Sequence, residues 1–130
     1  MTENKKRKFA VCLNCMDGRV QIPVIRWIKK NYSVDYVDII TEPGMDGILS
    51  DEKNDINSIL LKIETSIDKH NSCILFVVGH FDCAGNPVND KSHKKHICIA
   101  VNRLKNLKSF VRIIGLWVSN EWMVEKIIEQ

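Results

Sequence analysis

The stretch CILFVVGHFDC, residues 73–83, joins an unbroken apolar run to a short loop that carries imidazole, carboxylate and thiol groups. An apolar run of this length, over residues 73–78, is typical of a central strand that is covered on both faces of a sheet. His80, Asp82 and Cys83 follow in the loop. Ligands of open parallel sheets bind beyond the carboxyl ends of the strands, so we expect functional residues in this loop.

Strand-like and helix-like segments alternate on both sides of this stretch. The apolar segments of strand length are Phe9 to Cys15 (FAVCLNC), Tyr36 to Ile40 (YVDII), Cys73 to Val78 and Val111 to Val118 (VRIIGLWV). The segments with helical spacing are Gln21 to Asn31, Asn54 to His70 and Lys95 to Leu107. This alternation predicts an α/β fold, a small and mainly parallel sheet flanked by helices, and we expect the strand order 2-1-3-4.

Local signals set the limits of several segments. Pro23 fits only the first turn of a helix, so the first helix begins just before it. The apolar residues expected on one face of that helix are Ile22, Ile25 and Ile28. Residues 41–44 (TEPG) predict a turn, and residues 79–90 predict a loop. The last residues, 119–130, are compatible with either a helix or a returning antiparallel strand.

Length and composition indicate one globular domain without a nucleic-acid or membrane partner. The chain has 130 residues, of which 45% are hydrophobic and 27% charged, and its formal net charge is +3. No apolar run approaches the roughly 20 residues that cross a bilayer, and so small a charge gives no reason to expect nucleic-acid binding. We therefore expect one domain over residues 9–130, preceded by a solvated basic tail over residues 1–8.

The cysteines indicate a reducing compartment. There are five of them, an odd number, and the polar, basic N-terminus lacks the apolar stretch of a secretory signal. We therefore expect a cytoplasmic protein whose thiols are buried, bind metal or act in catalysis, rather than a disulfide framework. Cys12 and Cys73 lie inside apolar strands and are expected to be core residues.

Three potential metal ligands follow the first and third predicted strands. Cys15 ends the first strand, and His80 and Cys83 follow the third. In the order 2-1-3-4 these strands are neighbours, so their carboxyl ends bring the three side chains together. Two thiolates and one imidazole suit zinc, and three protein ligands leave the fourth tetrahedral position open, as in catalytic zinc sites.

Two motifs in this region are similar to those of a known enzyme family. Cys-x-Asp-x-Arg at residues 15–19 and His-x-x-Cys at residues 80–83, in this order, resemble the motifs of the β-class carbonic anhydrases. The stretch Gly-Leu-Trp-Val at residues 115–118 resembles the Gly-Trp-x-x stretch of that family's fourth strand. The resemblance covers residues 9–118, although Gly18 stands where the family usually has serine.

This resemblance implies a fold, a cofactor and a reaction. It implies a β-carbonic-anhydrase-like zinc lyase in which Cys15, His80 and Cys83 bind Zn²⁺. A zinc hydroxide would attack carbon dioxide, or a related small heteroallene such as carbonyl sulfide, and carbon dioxide would give bicarbonate. Asp17 and Arg19 would be the catalytic pair, in which Arg19 holds Asp17 ionised and Asp17 accepts a hydrogen bond from the hydroxide. The family also implies a homodimer.

Two other functions fit the same residues. A non-catalytic zinc protein would use the same scaffold, with Asp17 closing the fourth metal position. A thiol redox protein would use Cys12 and Cys15, although a thioredoxin-like pair normally opens a helix and this pair lies at the end of a strand.

Other polar residues near these motifs are not assigned to the metal site. His93, His96 and Cys98 are expected at a solvated helix entry rather than at a second metal, since Lys94 and Lys95 between the histidines would repel a cation. Asp82, between two of the proposed ligands, is compatible with either a supporting contact or simple exposure to solvent.

Overall fold

A five-stranded sheet runs through the computed structural model, which describes residues 7–108 and 111–130. The strands are β1 (Phe9–Cys15), β2 (Tyr36–Glu42), β3 (Ile74–His80), β4 (Arg112–Val118) and β5 (Val124–Glu129). The helices are α1 (Gln21–Tyr32), α2 (Met45–Ser50), α3 (Asn57–His70) and α4 (Asp90–Leu107). The strand order is β2-β1-β3-β4-β5, and only the β4–β5 pair is antiparallel. The predicted α/β fold with a mainly parallel sheet is confirmed.

The C-terminal segment adds an edge strand that the predicted order 2-1-3-4 did not include. A tight turn returns the chain onto β4: the Trp122 N–H donates to the Ser119 carbonyl oxygen at 2.9 Å, and the Ser119 N–H donates to the Met123 carbonyl oxygen at 3.0 Å. Val124 then packs with the apolar layer on one face of the sheet. The predicted order is therefore correct for the first four strands and continues through β5.

Helices cover both faces of the sheet and enclose two apolar layers. One layer lies under α2, α3 and α4, and the other under α1. All seven residues of β3 are buried: Leu75 and Val77 pack in the first layer, and Phe76 and Val78 in the second. β3 is thus a central strand covered on both faces, as its unbroken apolar run predicted.

Helix α1 holds Pro23 in its first turn, as predicted, and its buried face shares only Ile28 with the predicted one. Val24 and Ile28 are fully buried, whereas Ile22 is 64% exposed. Residues three and four positions apart both lie on one side of a helix, so the spacing alone did not separate two overlapping apolar faces.

Helix α2 was not predicted from the sequence, and helix α4 begins earlier than predicted. Helix α2 follows Gly44, whose φ of 65° reverses the chain after β2. Helix α4 begins at Asp90 rather than at Lys95, because the Asn89 side chain caps it by accepting the N–H of Ser92 at 2.8 Å. The first turn of α4 is polar, so the apolar spacing placed its start too late.

The predicted basic tail falls mostly outside the described residues. Residues 1–6 are not among them. Lys8 is bound to the fold: its carbonyl oxygen accepts the N–H groups of Asp35 and Tyr36 at 2.8 and 3.1 Å. Its own N–H donates to the Asp35 carboxylate at 2.7 Å. None of the described helices has the length and apolar character needed to cross a membrane.

Candidate metal centre

The carboxyl ends of two neighbouring strands bring three metal-binding side chains together. Cys15 ends β1, His80 ends β3, and Cys83 lies in the loop that follows β3. All three are buried, at 4%, 1% and 4% exposure. The two Sγ atoms are 3.9 Å apart, and one donor atom from each residue lies within 4.8 Å of the others. These three residues can hold a metal ion.

The histidine is oriented as a metal ligand would be. His80 Nδ1 lies 2.8 Å from the Phe81 carbonyl oxygen, which can only accept a hydrogen bond, so the ring proton is on Nδ1. His80 Nε2 is buried and has no hydrogen-bond partner among the described residues. A buried lone pair without a partner is costly unless a cation or a donor occupies the space in front of it. The free Nε2 therefore fits a metal ion at this position.

The surroundings of the two thiols favour a thiolate at Cys15 but oppose a second thiolate at Cys83. Burial raises the pKa of Cys15, but the neighbouring His80 imidazole and the Gly44 N–H, which lies 3.5 Å from Sγ, bring it down to about 7. Burial and the nearby Cys15 charge raise the pKa of Cys83 to about 11. A divalent cation would stabilise both thiolates at once, so this donor set suits a soft divalent ion such as zinc.

The Asp17 carboxylate is bound to Arg19 and does not belong to the group of Cys15, His80 and Cys83, which we call the ligand group. Among the described residues, the group of donor atoms within 4.8 Å contains Cys15, His80 and Cys83 but not Asp17. Asp17 forms a two-point ion pair with Arg19: Nε lies 3.0 Å from Oδ1, and Nη2 lies 2.6 Å from Oδ2. Hydrogen bonding to Arg19 lowers the pKa of Asp17 to about 2.

A close approach of two backbones fixes the loops around the site. Gly44 follows β2 and Gly85 follows Cys83, and a Cβ atom on Gly44 would lie 2.5 Å from the Gly85 carbonyl carbon. No side chain fits between these loops, so glycine is required at both positions. This contact holds the Gly44 N–H against Cys15 while the second loop carries Cys83.

Residues 5–128 match a protein-family model that is described as "Putative carbonic anhydrase". The chain belongs to this carbonic anhydrase family. The match spans nearly the whole chain, so the resemblance that the paired motifs suggested is confirmed. No curated protein sequence matches the chain.

Solved carbonic anhydrases share the fold. β-Carbonic anhydrase isoform I from Trichomonas vaginalis is 16% identical, with a TM-score of 0.66 over 95% of this chain and 83% of that one. Carbonic anhydrase from Streptococcus mutans is 15% identical, with a TM-score of 0.67 over 95% and 82%. One of two tetrameric β-carbonic anhydrases from Sordaria macrospora is 13% identical, with a TM-score of 0.60 over 96% and 83%. At these identities the likeness concerns the fold.

Two interpretations of individual residues are wrong. Cys73 is exposed, not a core residue, because β3 begins one residue after it. His93 is fully buried, not solvated: its Nδ1 lies 2.6 Å from Asp46 Oδ2. Helix α4 turns His93 towards the sheet because the helix begins earlier than predicted. Cys12 is buried as expected, and its side chain is not part of the ligand group.

Sequence reasoning missed the environment of Arg19. Asp82, whose role the sequence did not settle, accepts hydrogen bonds from Arg19 through Oδ2 at 3.2 Å and through its carbonyl oxygen at 3.0 Å. Trp122 stacks on the guanidinium, with Arg19 Cζ 4.7 Å from the ring centroid. Trp122 gave no signal, since it is a single aromatic residue in a segment whose structure the sequence left open.

Proposed function

We propose that this protein is a zinc-dependent lyase that converts carbon dioxide to bicarbonate. The observation that carries the proposal is the buried Cys15–His80–Cys83 group beside an Asp17 that Arg19 binds. Membership of the carbonic anhydrase family supports the same reaction. When bound, zinc would supply Lewis-acid activation of a water molecule at neutral pH.

The protein's own residues would hold the ion and orient the reactants. Cys15, Cys83 and His80 Nε2 would bind it, and the Phe81 carbonyl would keep the His80 proton on Nδ1. Asp17, ionised and bound to Arg19, would accept a hydrogen bond from the attacking oxygen and fix its direction. Burial of the three donors would exclude competing water from the metal's inner side.

Two observations weigh against the alternatives. In a non-catalytic zinc protein Asp17 would close the fourth position, but its carboxylate is paired with Arg19 and lies outside the ligand group. In a thiol redox protein Cys12 would supply a reactive thiol, but burial raises the Cys12 pKa far above its usual range. A fully buried neutral thiol is a poor nucleophile.

Asp17→Asn tests the proposal directly. The asparagine keeps the shape but loses the negative acceptor, so carbon dioxide hydration should fall at least about tenfold while zinc stays bound. Stopped-flow hydration assays and metal analysis on the same zinc-loaded sample measure both quantities. In the non-catalytic alternative the same change would weaken zinc binding and would have no hydration to reduce. Wild-type protein with full zinc and no hydration above buffer at about pH 8.5, where zinc-bound water is ionised, would refute the proposal.

We also propose a cytoplasmic homodimer. A site that needs two free thiols suits a reducing compartment. The strands β2 and β5 lie at the two edges of the sheet, where a second copy can add, and a structural neighbour from Sordaria macrospora is tetrameric. Sedimentation analysis of the zinc-loaded protein would measure the oligomeric state.

A further inference from the structure

Arg19 is bound on three sides by residues from three separate loops. Its Nε and Nη2 groups bind Asp17, Nη1 binds Asp82 Oδ2, and Nη2 also binds the Asp82 carbonyl oxygen. Trp122, in the turn between β4 and β5, covers the face of the guanidinium. We call Asp82 and Trp122 the Arg19 clamp. Nε is used once, Nη2 twice and Nη1 once, so four of the five N–H donors of arginine are engaged.

The ion pair alone would not hold its geometry. The Arg19 side chain is 46% exposed and the Asp17 side chain 18% exposed, so solvent screens the ion pair, and forming it requires two flexible side chains to be ordered. Contacts from Asp82 and Trp122 restrict the guanidinium in two further directions. A restricted guanidinium in turn fixes the plane of the Asp17 carboxylate, because the pairing is two-point.

The backbone at both clamp residues is unusual. Outside glycine, the described residues with positive φ are Ser33, Asn71, Asp82 and Trp122. Ser33 and Asn71 are the C-caps of α1 and α3, where a left-handed residue commonly ends a helix. The other two, at φ 59° and 60°, are the residues that hold Arg19. Aspartate tolerates this conformation, whereas for tryptophan it is uncommon and is held by the turn between β4 and β5, in which Ser119 is hydrogen-bonded to Trp122 and Met123.

We infer that Asp82 and Trp122 are positioning residues, which keep Arg19 in place and thereby keep Asp17 beside the metal position rather than on it. The inference rests on the proposed function and adds two residues to its machinery. Asp82 joins the loop after β3 to the loop after β1 through Arg19. Trp122 brings the C-terminal hairpin into the site, so the hairpin is needed for the reaction as well as for the sheet.

The test compares cobalt-substituted variants with the cobalt-substituted wild type. The variants are Asp82→Asn, which suits a left-handed backbone, Trp122→Leu, which keeps apolar volume but removes the ring face, and the double variant. With the clamp removed, Arg19 is free to move and Asp17 can reach the metal as an extra ligand. We expect the visible cobalt spectrum of the double variant to change, its zinc affinity to rise at least about threefold, and hydration to fall at least about tenfold. Trp122→Phe, which keeps an aromatic ring, should retain most of the hydration activity that Trp122→Leu loses.

A matched set of residues at the opposite end of the sheet provides the control. Arg112 binds Glu129 and lies over the ring of Tyr32, with Cζ 5.6 Å from the ring centroid. Tyr32→Leu and Glu129→Gln remove the same kinds of contact without touching the site, and should leave the cobalt spectrum unchanged.

The decisive comparison adds Asp17→Asn to the double variant. If the clamp acts through Asp17, the spectral change disappears in this background. A cobalt spectrum and zinc affinity that stay at wild-type values in the double variant would overturn the inference, as would a spectral change that persists without the Asp17 carboxylate. These readouts need no carbon dioxide. If the wild type does not hydrate carbon dioxide but its cobalt spectrum changes when Asp82 and Trp122 are replaced, the proposed reaction is refuted and the clamp is not. If the wild type is active but its cobalt spectrum does not change on these replacements, the clamp is refuted and the reaction is not.

Discussion

At the scale of single residues, the same side chain has different chemistry according to its neighbours. Cys12 and Cys15 are three residues apart on β1, yet burial raises the pKa of Cys12 whereas His80 and the Gly44 N–H lower that of Cys15. Only Cys15 lies with a second thiol and a free imidazole nitrogen. Spacing in the sequence could not separate the two cysteines on its own, but their position relative to the strand end could.

The ligand assignment predicts the outcome of four substitutions. Cys15→Ser, His80→Ala and Cys83→Ser should each reduce zinc content to well below one ion per chain, because two remaining donors bind the metal weakly. Cys12→Ala should keep a full equivalent, since Cys12 faces the apolar layer under α1. Zinc is measured by plasma mass spectrometry after purification under reducing conditions. Loss of zinc from Cys12→Ala alone would mean that the wrong cysteine of the pair has been assigned.

At the scale of secondary-structure elements, the site depends on two loops that contact each other through their backbones. The turn after β2 and the loop after β3 meet at Gly44 and Gly85. The sequence predicted a turn at residues 41–44 but not its partner, because a contact between distant glycines leaves no local pattern. The carboxyl ends of β1 and β3 supply the proposed ligands, and these two loops fix the distance between them.

A methyl group at this contact should cost stability. In Gly85→Ala the new Cβ would lie 2.4 Å from the Pro43 carbonyl carbon, so the backbone must shift. Overpacking of this kind costs about 1–3 kcal/mol, and the loss should be larger with zinc present because Gly44 also contacts Cys15. Chemical denaturation with and without zinc measures both effects.

Gly18→Ala is the matched control for this substitution. A Cβ on Gly18 meets nothing within 4 Å, so the free energy of unfolding should change by less than about 0.5 kcal/mol. Equal destabilisation by the two alanines would show that the contact between Gly44 and Gly85 does not constrain the site.

At the scale of the whole molecule, the sequence predicted the order of the four parallel strands but not the edge strand β5. The apolar run of residues 73–78 and the alternation of elements were sufficient for the parallel order and the meeting of Cys15 with His80, because both follow from strand burial and connection rules. For residues 119–130 the sequence left a helix and a returning antiparallel strand open, and the structure shows the strand. The pattern could not decide between them, since Val124–Glu129 is short and only partly buried at the sheet edge. The buried pair of Asp46 and His93 was missed for a related reason, as tertiary packing and not periodicity decides which polar residues are enclosed.

The metal would join two central strands that are far apart in the sequence, so its binding should appear as folding stability. At free zinc about 100-fold above its dissociation constant the gain is about 2.7 kcal/mol, or roughly 10 °C in melting temperature for a domain of this size. Removal of zinc with a chelator should therefore lower the melting temperature by a similar amount. Cys15→Ser should show no chelator effect. A wild-type melting curve that stays in place after verified zinc removal would contradict this coupling.

Zinc K-edge X-ray absorption of the purified, reduced protein would show whether Cys15, His80 and Cys83 form a zinc site. We expect two sulfur neighbours at about 2.3 Å, one imidazole nitrogen at about 2.0–2.1 Å and one further light atom in the fourth position. Protein that neither carries nor takes up zinc under reducing conditions would contradict it. So would a zinc shell with any number of sulfur atoms other than two.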